Sequence, residues 1–469
     1  MTVLNKTDAL TAFHKLLWPA WLKEKEELDK IDLLWRNEHE HFAVPRQATT
    51  EHKALRELAR TPYLGLLVTA ICQGLHVDGY RSPTIAENDP GWKTWVTNGM
   101  PKNQNPIHRA AAGYGVGYLR LVKGDPATVM KPRSPRQMLT LYADPAYDEW
   151  PMWAMEVIAN GKDGAFLVEA IDNDGNTYKF KVNDRSGDDV EYIETIPSVD
   201  EVTGEDAYGF CPVVRYTYDL DTEGRTRGVV DINRTTALRI EKTDYDRLLA
   251  QHFNSWKVRT ISGLAEPDAE EAANRQKLKL SQEDILVAED ADTKFGTLDE
   301  TSLEGFIKAK DSDVESLAGT GQVPGTALTG KVANLSADAI TELRSGLNLL
   351  QFTLKTSFGQ SHNQALRAAA LLEGREPDYD AGVTWQDLNT LSLASAVDAL
   401  GKAAMMLGIP PEALWSSLPG FTQSDVKGWE QLATKADARA RLDAIRAKAA
   451  EARGVITAAG LGTGSRAQP

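Results

Sequence analysis

Apolar residues recur at steps of three and four late in the chain, where Ile340, Leu343, Leu347, Leu350, Leu354 and Phe358 fall on one line. That spacing keeps side chains on one face of a helix, and it predicts a helix over residues 336–374. At roughly 1.5 Å per residue such a helix exceeds ~50 Å, more than the width of a small domain. Ser336 suits its N-cap, and Asp338 its first turn, where a negative charge meets the helix dipole. Gly346 and Gly359 are the expected bending points, because glycine lowers helix propensity.

Elsewhere the period changes. Residues 1–75 read as helical, with "WLKEKEELDKIDLLWR", "LRELAR" and "YLGLLVTAICQGL" separated by breaks. From 76 the chain turns to short segments rich in β-branched and aromatic residues, such as "VGYLRLV", "WAMEVIA" and "TYKFKV". "DNDGN" (172–176) predicts a hairpin turn, and "NPIHRAAAGYG" (105–115) a helix. Residues 76–225 therefore form an α+β domain with a mainly antiparallel sheet. Helices follow over 229–256 and 302–319, with short mixed segments between them. The first has only a thin apolar stripe, and carries Lys242 and Asp246 at i,i+4 and Asp244 and Arg247 at i,i+3. A long helix that is polar on most faces needs support from outside its own domain. Residues 383–432 read as a small helical domain, with Pro410 and Pro411 starting one helix. An Ala/Arg helix with a surplus of positive charge is expected over 435–453, and a disordered tail after it.

Composition narrows the function. The 469 residues suffice for two or three domains, and 42% apolar with 25% charged is ordinary for globular proteins. A net charge of -15 opposes a protein that coats nucleic acid, yet suits one past which nucleic acid must slide. Cys72 and Cys211 are too few for a disulfide framework or a cysteine metal site, which fits a reducing interior. The N-terminal residues lack the cationic-then-apolar pattern of a signal sequence, and "LGLLVTAICQGL" (64–75) is too short to span a bilayer. No membrane partner is expected.

Candidate chemistry is sparse. In "NEHEHF" (37–42), His39 and His41 invite a metal with Glu38 or Glu40, but no second ligand cluster accompanies them. "GYGVGY" (113–118) leads from helix into strand, the reverse of a phosphate loop, so close helix–strand packing is the better reading. "DNDGN" lacks the spacing of a calcium loop, and no nucleophile elbow or histidine pairing is present. An enzyme reading rests on nothing specific, and no cofactor or metal is expected.

The order of "TPYLGLLVTAICQGLHVDGYR", "GWKTWVTNG", "PIHRAAAGYGVGYLRLV", "SPRQMLTLYADP", "YGFCPVVRYTY", "FNSWKVRTISG" and "GTGQVPGTALTGKVANLSADAITELRSGL" carries a resemblance. Over residues 30–432 the chain resembles portal proteins of tailed double-stranded DNA bacteriophages, in the form typical of actinobacterial siphoviruses. The resemblance implies a ring, a dodecamer, at one capsid vertex of the virion, assembled in the host cytoplasm. Double-stranded DNA is packaged and ejected through it without sequence recognition. Terminase, a head-completion or adaptor protein, the major capsid protein and scaffold are the implied partners. The implied map is an α+β portal fold: wing 1–228, stem helices 229–257 and 302–320, clip 258–301, tunnel loop 321–335, long wing helix 336–375, crown 376–435, and a basic helix with tail over 436–469.

In that map Val323, Pro324, Gly325, Thr326, Thr329, Gly330, Lys331 and Asn334 line the DNA channel. Lys331 is the only charge between Thr320 and Ser336, which leaves few strong phosphate traps on a moving duplex. Judged from residue types alone, the same segment is a mobile helix–helix linker. Arg239, Lys242, Asp246, Lys308 and Lys310 are the expected contacts between neighbouring stems. The alternative is another head-assembly or minor capsid protein of a phage.

Overall fold

The computed structural model describes residues 3–40, 42–43, 50–81, 90–159, 164–198, 209–254, 259–262, 294–297, 302–331, 337–386 and 393–415, with 418, 421, 425–426, 428–435, 438–439, 441 and 443. The N-terminal run folds as α1 (Lys6–Ala12), one wide π-type turn (Phe13–Leu17) and α2 (Trp18–Trp35), then α3 (Thr50–Leu58) and α4 (Tyr63–Cys72). Next come β1 (Val77–Arg81), α5 (Pro90–Thr97), α6 (Met100–Tyr114), β2 (Val116–Val122) and β3 (Val129–Arg133). Strands β4 (Met138–Leu141), β5 (Trp153–Ala159), β6 (Phe166–Asp172), β7 (Thr177–Val182), β8 (Val190–Ile196) and β9 (Val213–Thr217) follow. After them lie α7 (Val229–Ile232), α8 (Arg234–Asn254), β10 (Arg259–Ser262), β11 (Lys294–Thr297), α9 (Glu304–Thr320) and α10 (Gly325–Thr329). The last are α11 (Ala337–Leu372), β12 (Gly382–Trp385), α12 (Leu393–Leu407) and α13 (Pro411–Leu414).

These elements form two compact units. The first comprises Met1–Cys72, Ile107–Leu119 and Arg133–Leu354. Its sheet is a five-stranded antiparallel meander in the order β4-β5-β6-β7-β8. Tyr178, Phe180 and Val182 alternate with less buried residues along β7, so the pleat puts them on one face. Ala9, Phe13, Leu17, Trp18 and Trp21 project from the N-terminal helices at helical spacing and pack there, with Met155, Val157 and Val168. Residues of opposite parity, Ala154 and Ile171, join a second cluster with Met138, Cys211 and Val213. The turn at 172–176 is fixed by the Asp172 carboxylate, which accepts hydrogen bonds from the Asp174 and Asn176 amides at 3.0 and 2.9 Å and from the Tyr178 hydroxyl at 2.8 Å. The helix-to-strand glycines pack closely: a Cβ on Gly113 would enter the Trp35 ring, and Gly115 takes φ 98° with its missing Cβ 2.8 Å from the backbone of Arg227 and Gly228.

The second unit comprises Gln73–Pro106, Arg120–Pro132 and Lys355–Pro469. Here β1 pairs antiparallel with β12, placing Tyr80 opposite Val383 and Arg81 opposite Gly382. The buried Gln104 amide accepts from the Val77 N–H at 2.8 Å. Trp95 is fully buried and meets His362 edge to face, with ring centroids 4.9 Å apart. The Glu373 carboxylate collects the Thr128 amide at 2.9 Å, the Thr94 hydroxyl at 3.0 Å and the Arg375 guanidinium. Although burial opposes ionisation, these hydrogen bonds hold its carboxyl below the usual range.

Three expectations change. The strand at 76–81 does not pair within 76–225, because its partner β12 lies some three hundred residues on. Residues 383–385, read as the start of a helical domain, belong to that partner strand. The helix over 229–256 is two helices, broken at Asn233, whose buried side chain donates to the Val229 carbonyl at 2.9 Å. The long helix runs through both Gly346 and Gly359, and its stripe is buried only in part: Leu354 and Phe358 are inaccessible, while Leu343 is exposed. The predicted helix over 435–453, most of the clip over 263–293, and the tail lie wholly or largely outside the described residues.

Candidate functional site

A helical hairpin with a small folded segment at one end holds the residues singled out by sequence. Helices α8 and α9 lie antiparallel, as their partners read in opposite order: Asn233 with Thr320, Arg239 with Asp313, Asp244 with Lys310. At about 1.5 Å per residue α8 extends some 30 Å. Beyond its far end the chain pairs with itself through β10 and β11, with Arg259 opposite Thr297 and Ser262 opposite Lys294.

Charge holds this hairpin where apolar area is scarce. Asp244 is nearly buried and accepts from Lys310 at 2.7 Å and Arg247 at 3.2 Å. Arg239 meets Asp313 at 2.8 Å, and the Thr320 hydroxyl donates to the Asn233 amide oxygen at 2.5 Å. Along single helices, Lys242 pairs with Asp246, and Lys308 with Glu304 at 2.7 Å. All five residues expected between neighbouring stems thus have partners inside their own chain. Asp313 and Asn233 were missed, and their only signal is the register between two helices whose ends lie fifty residues apart in sequence. That register is invisible without the fold.

The segment after α9 is better folded than its composition suggests. Gly321 takes the helix end, and a Cβ there would overlap Leu67 of α4. Val323 returns its N–H to the Ala318 carbonyl at 3.0 Å and is buried, as are Pro324 and Leu328. Helix α10 follows, ended by Gly330 at φ 65°, the left-handed cap that glycine adopts without penalty. Within the expected loop, Gly325–Thr329 therefore form a short helix, with Val323 and Leu328 buried beside and within it. Its other face is small and polar: Thr326, Thr329 and Gly330 are exposed. Thr329 donates to the Gly325 carbonyl at 3.0 Å, and Lys331 reaches Asp311 at 3.1 Å. Asn334 lies outside the described residues.

The histidine pair takes another form. His39 Nε2 stands 2.8 Å from Glu241 of α8, both little exposed, and Arg60 holds the His39 and Asn37 carbonyls at 2.6 and 2.8 Å. His41 lies outside the described residues. Among the described residues no group of three His, Cys, Asp or Glu side chains can hold a metal ion. No helix among them is long and apolar enough to cross a membrane.

The family model "Phage portal protein, SPP1 Gp6-like" matches residues 14–452, and the chain belongs to that family. It is accordingly a channel-forming structural protein of phage-like particles. No curated protein matches the chain. Similar solved chains include one from the virion of a native gene transfer agent particle, 12% identical, covering 79% of this chain and 96% of that one at a TM-score of 0.42. Others come from the neck of the empty particle computed with C6 symmetry (13% identical, 79% and 96% covered, TM-score 0.42) and of the native particle computed with C12 symmetry (11%, 78% and 91%, 0.42). At that similarity they add nothing to the family assignment.

Proposed function

We propose that twelve copies close into the portal of a tailed phage of the actinobacterial siphovirus kind, through which DNA is packaged and later ejected. In this reading α8 and α9 are the stem, and the chain between them is the clip, where terminase and then the head-completion protein dock. Residues 1–228 and 336–375 serve as wing and 376–435 as crown, facing the capsid protein and scaffold. The segment 321–335 lines the channel at its narrowest ring.

One observation carries the channel assignment. The segment is anchored by Val323 and Leu328, presents Thr326 and Thr329 outward, and has its one cation engaged by Asp311. A surface of hydroxyls and backbone touches a duplex without the counterion-releasing grip that clustered cations impose. Removing residues 325–331 is expected to leave annular particles in electron micrographs but to lower packaged DNA. Virions that fill and retain DNA normally would refute the assignment. Replacing Thr326 and Thr329 by Arg should raise DNA affinity and steepen its salt dependence. An unchanged slope would place these side chains away from DNA.

A further inference from the structure

Away from the hairpin, the first unit has a half-open cavity of about 410 Å³ lined in part by Trp21 and Phe166. Lys25, Arg36 and Arg136 line it, with Ser134 and Gln137, and no carboxylate does. Two carboxylates stand behind the cations. Arg136 meets Asp29 at 2.7 Å and Asp32 at 2.8 Å, Arg36 meets Asp32 at 3.3 Å, and Lys25 pairs with Asp29. Three cations against two anions leave one positive charge, in a chain whose net charge is -15. The Tyr114 hydroxyl, also on the wall, is already spent on Asp32 at 2.6 Å.

Three donors among the lining residues have capacity left. The Trp21 indole N–H is buried and has no acceptor among the described residues, although Trp21 itself is only 4% exposed. A buried donor left unmet costs the full desolvation of that group. The Ser134 hydroxyl accepts from the Arg136 amide at 3.3 Å and keeps its proton to give. Arg36 has a half-exposed guanidinium that uses one edge on Asp32.

We infer that this cavity binds an oxyanion, a carboxylate carried on an apolar stem. The stem lies against Trp21 and Phe166, and the oxygens take the indole, guanidinium and hydroxyl donors. Two sources share that chemistry: a free small carboxylate, or an Asp or Glu side chain presented by a docking protein. The inference does not depend on the channel assignment.

Calorimetric titration of the full-length protein with phenylacetate, and with its neutral isostere phenylacetamide, tests it. Phenylacetate should bind once per chain and at least tenfold more tightly than the amide. Trp21→Phe and Arg36→Gln should each weaken it about fivefold or more. Arg36 sits at the surface, so Arg36→Gln should keep the parent melting temperature and guard against a folding artefact. No binding, equal binding of the two probes, or phenylacetate binding indifferent to Arg36→Gln overturns the site. A capped Phe–Glu dipeptide separates the sources: tighter binding than phenylacetate assigns a docking side chain, weaker binding a free small molecule.

Discussion

The first unit contains two regions built on opposite principles. Around the five-stranded sheet, stability comes from large rings in contact: Phe13 and Phe180 lie 4.9 Å apart, Trp18 and Trp21 4.8 Å, Phe13 and Trp18 5.3 Å. Between α8 and α9 it comes from directional pairs, Arg239 with Asp313 and Lys310 with Asp244, over a thin apolar seam. The first arrangement is complete in one chain. The second leaves a polar outer surface, which under the proposed stem assignment a neighbouring hairpin would cover.

Breaking the sheet should cost most. Phe180→Ala removes a buried ring and is expected to destabilise the first unit by about 3–5 kcal/mol, read as an earlier midpoint in urea unfolding. In the hairpin, Asp244→Ala strands Lys310 and Arg247, which keep part of their water, so a loss nearer ~2 kcal/mol is expected. Its signature is weakened ring assembly in light scattering before the far-ultraviolet signal changes. A loss of fold equal to that of Phe180→Ala would erase the distinction.

A separate effect distinguishes the regions by pH. Burial beside β4 and β9 raises the Glu24 carboxyl to about 7, opposed by Arg215. The folded chain therefore keeps a proton that the unfolded chain releases near the ordinary carboxylate value. Its stability is full below that value, falls as pH rises toward 7, and is level above it. Glu24→Gln should melt with the parent at pH 4.5 and above it at pH 8; a constant offset would contradict this. Least of all, Lys331→Ala should change stability by under ~0.5 kcal/mol, as the Lys331–Asp311 pair is exposed on both sides.

Local periodicity made much of this legible. The expected helix over 302–319 is α9, and the alternating strands after 150 form the meander with its predicted turn at Asp172. What stayed hidden depended on distant partners. Nothing in "GVTW" announces a strand until Tyr80 and Arg81 lie beside it. Val323 and Leu328 look like stray apolar residues in a glycine-rich linker until they are seen buried. Arg239 and Lys310, expected between neighbouring stems, have partners within the chain, because antiparallel register brings Asp313 and Asp244 to them.

The closed base of the hairpin has a further consequence. Because β10 and β11 zip together where the two helices end, the chain departs and returns at one gate. The sequence between them starts from a fixed pair of backbone ends, and loop-closure cost grows slowly with length. The tip can therefore be lengthened, shortened or traded between relatives like the bit of a drill, leaving the chuck untouched.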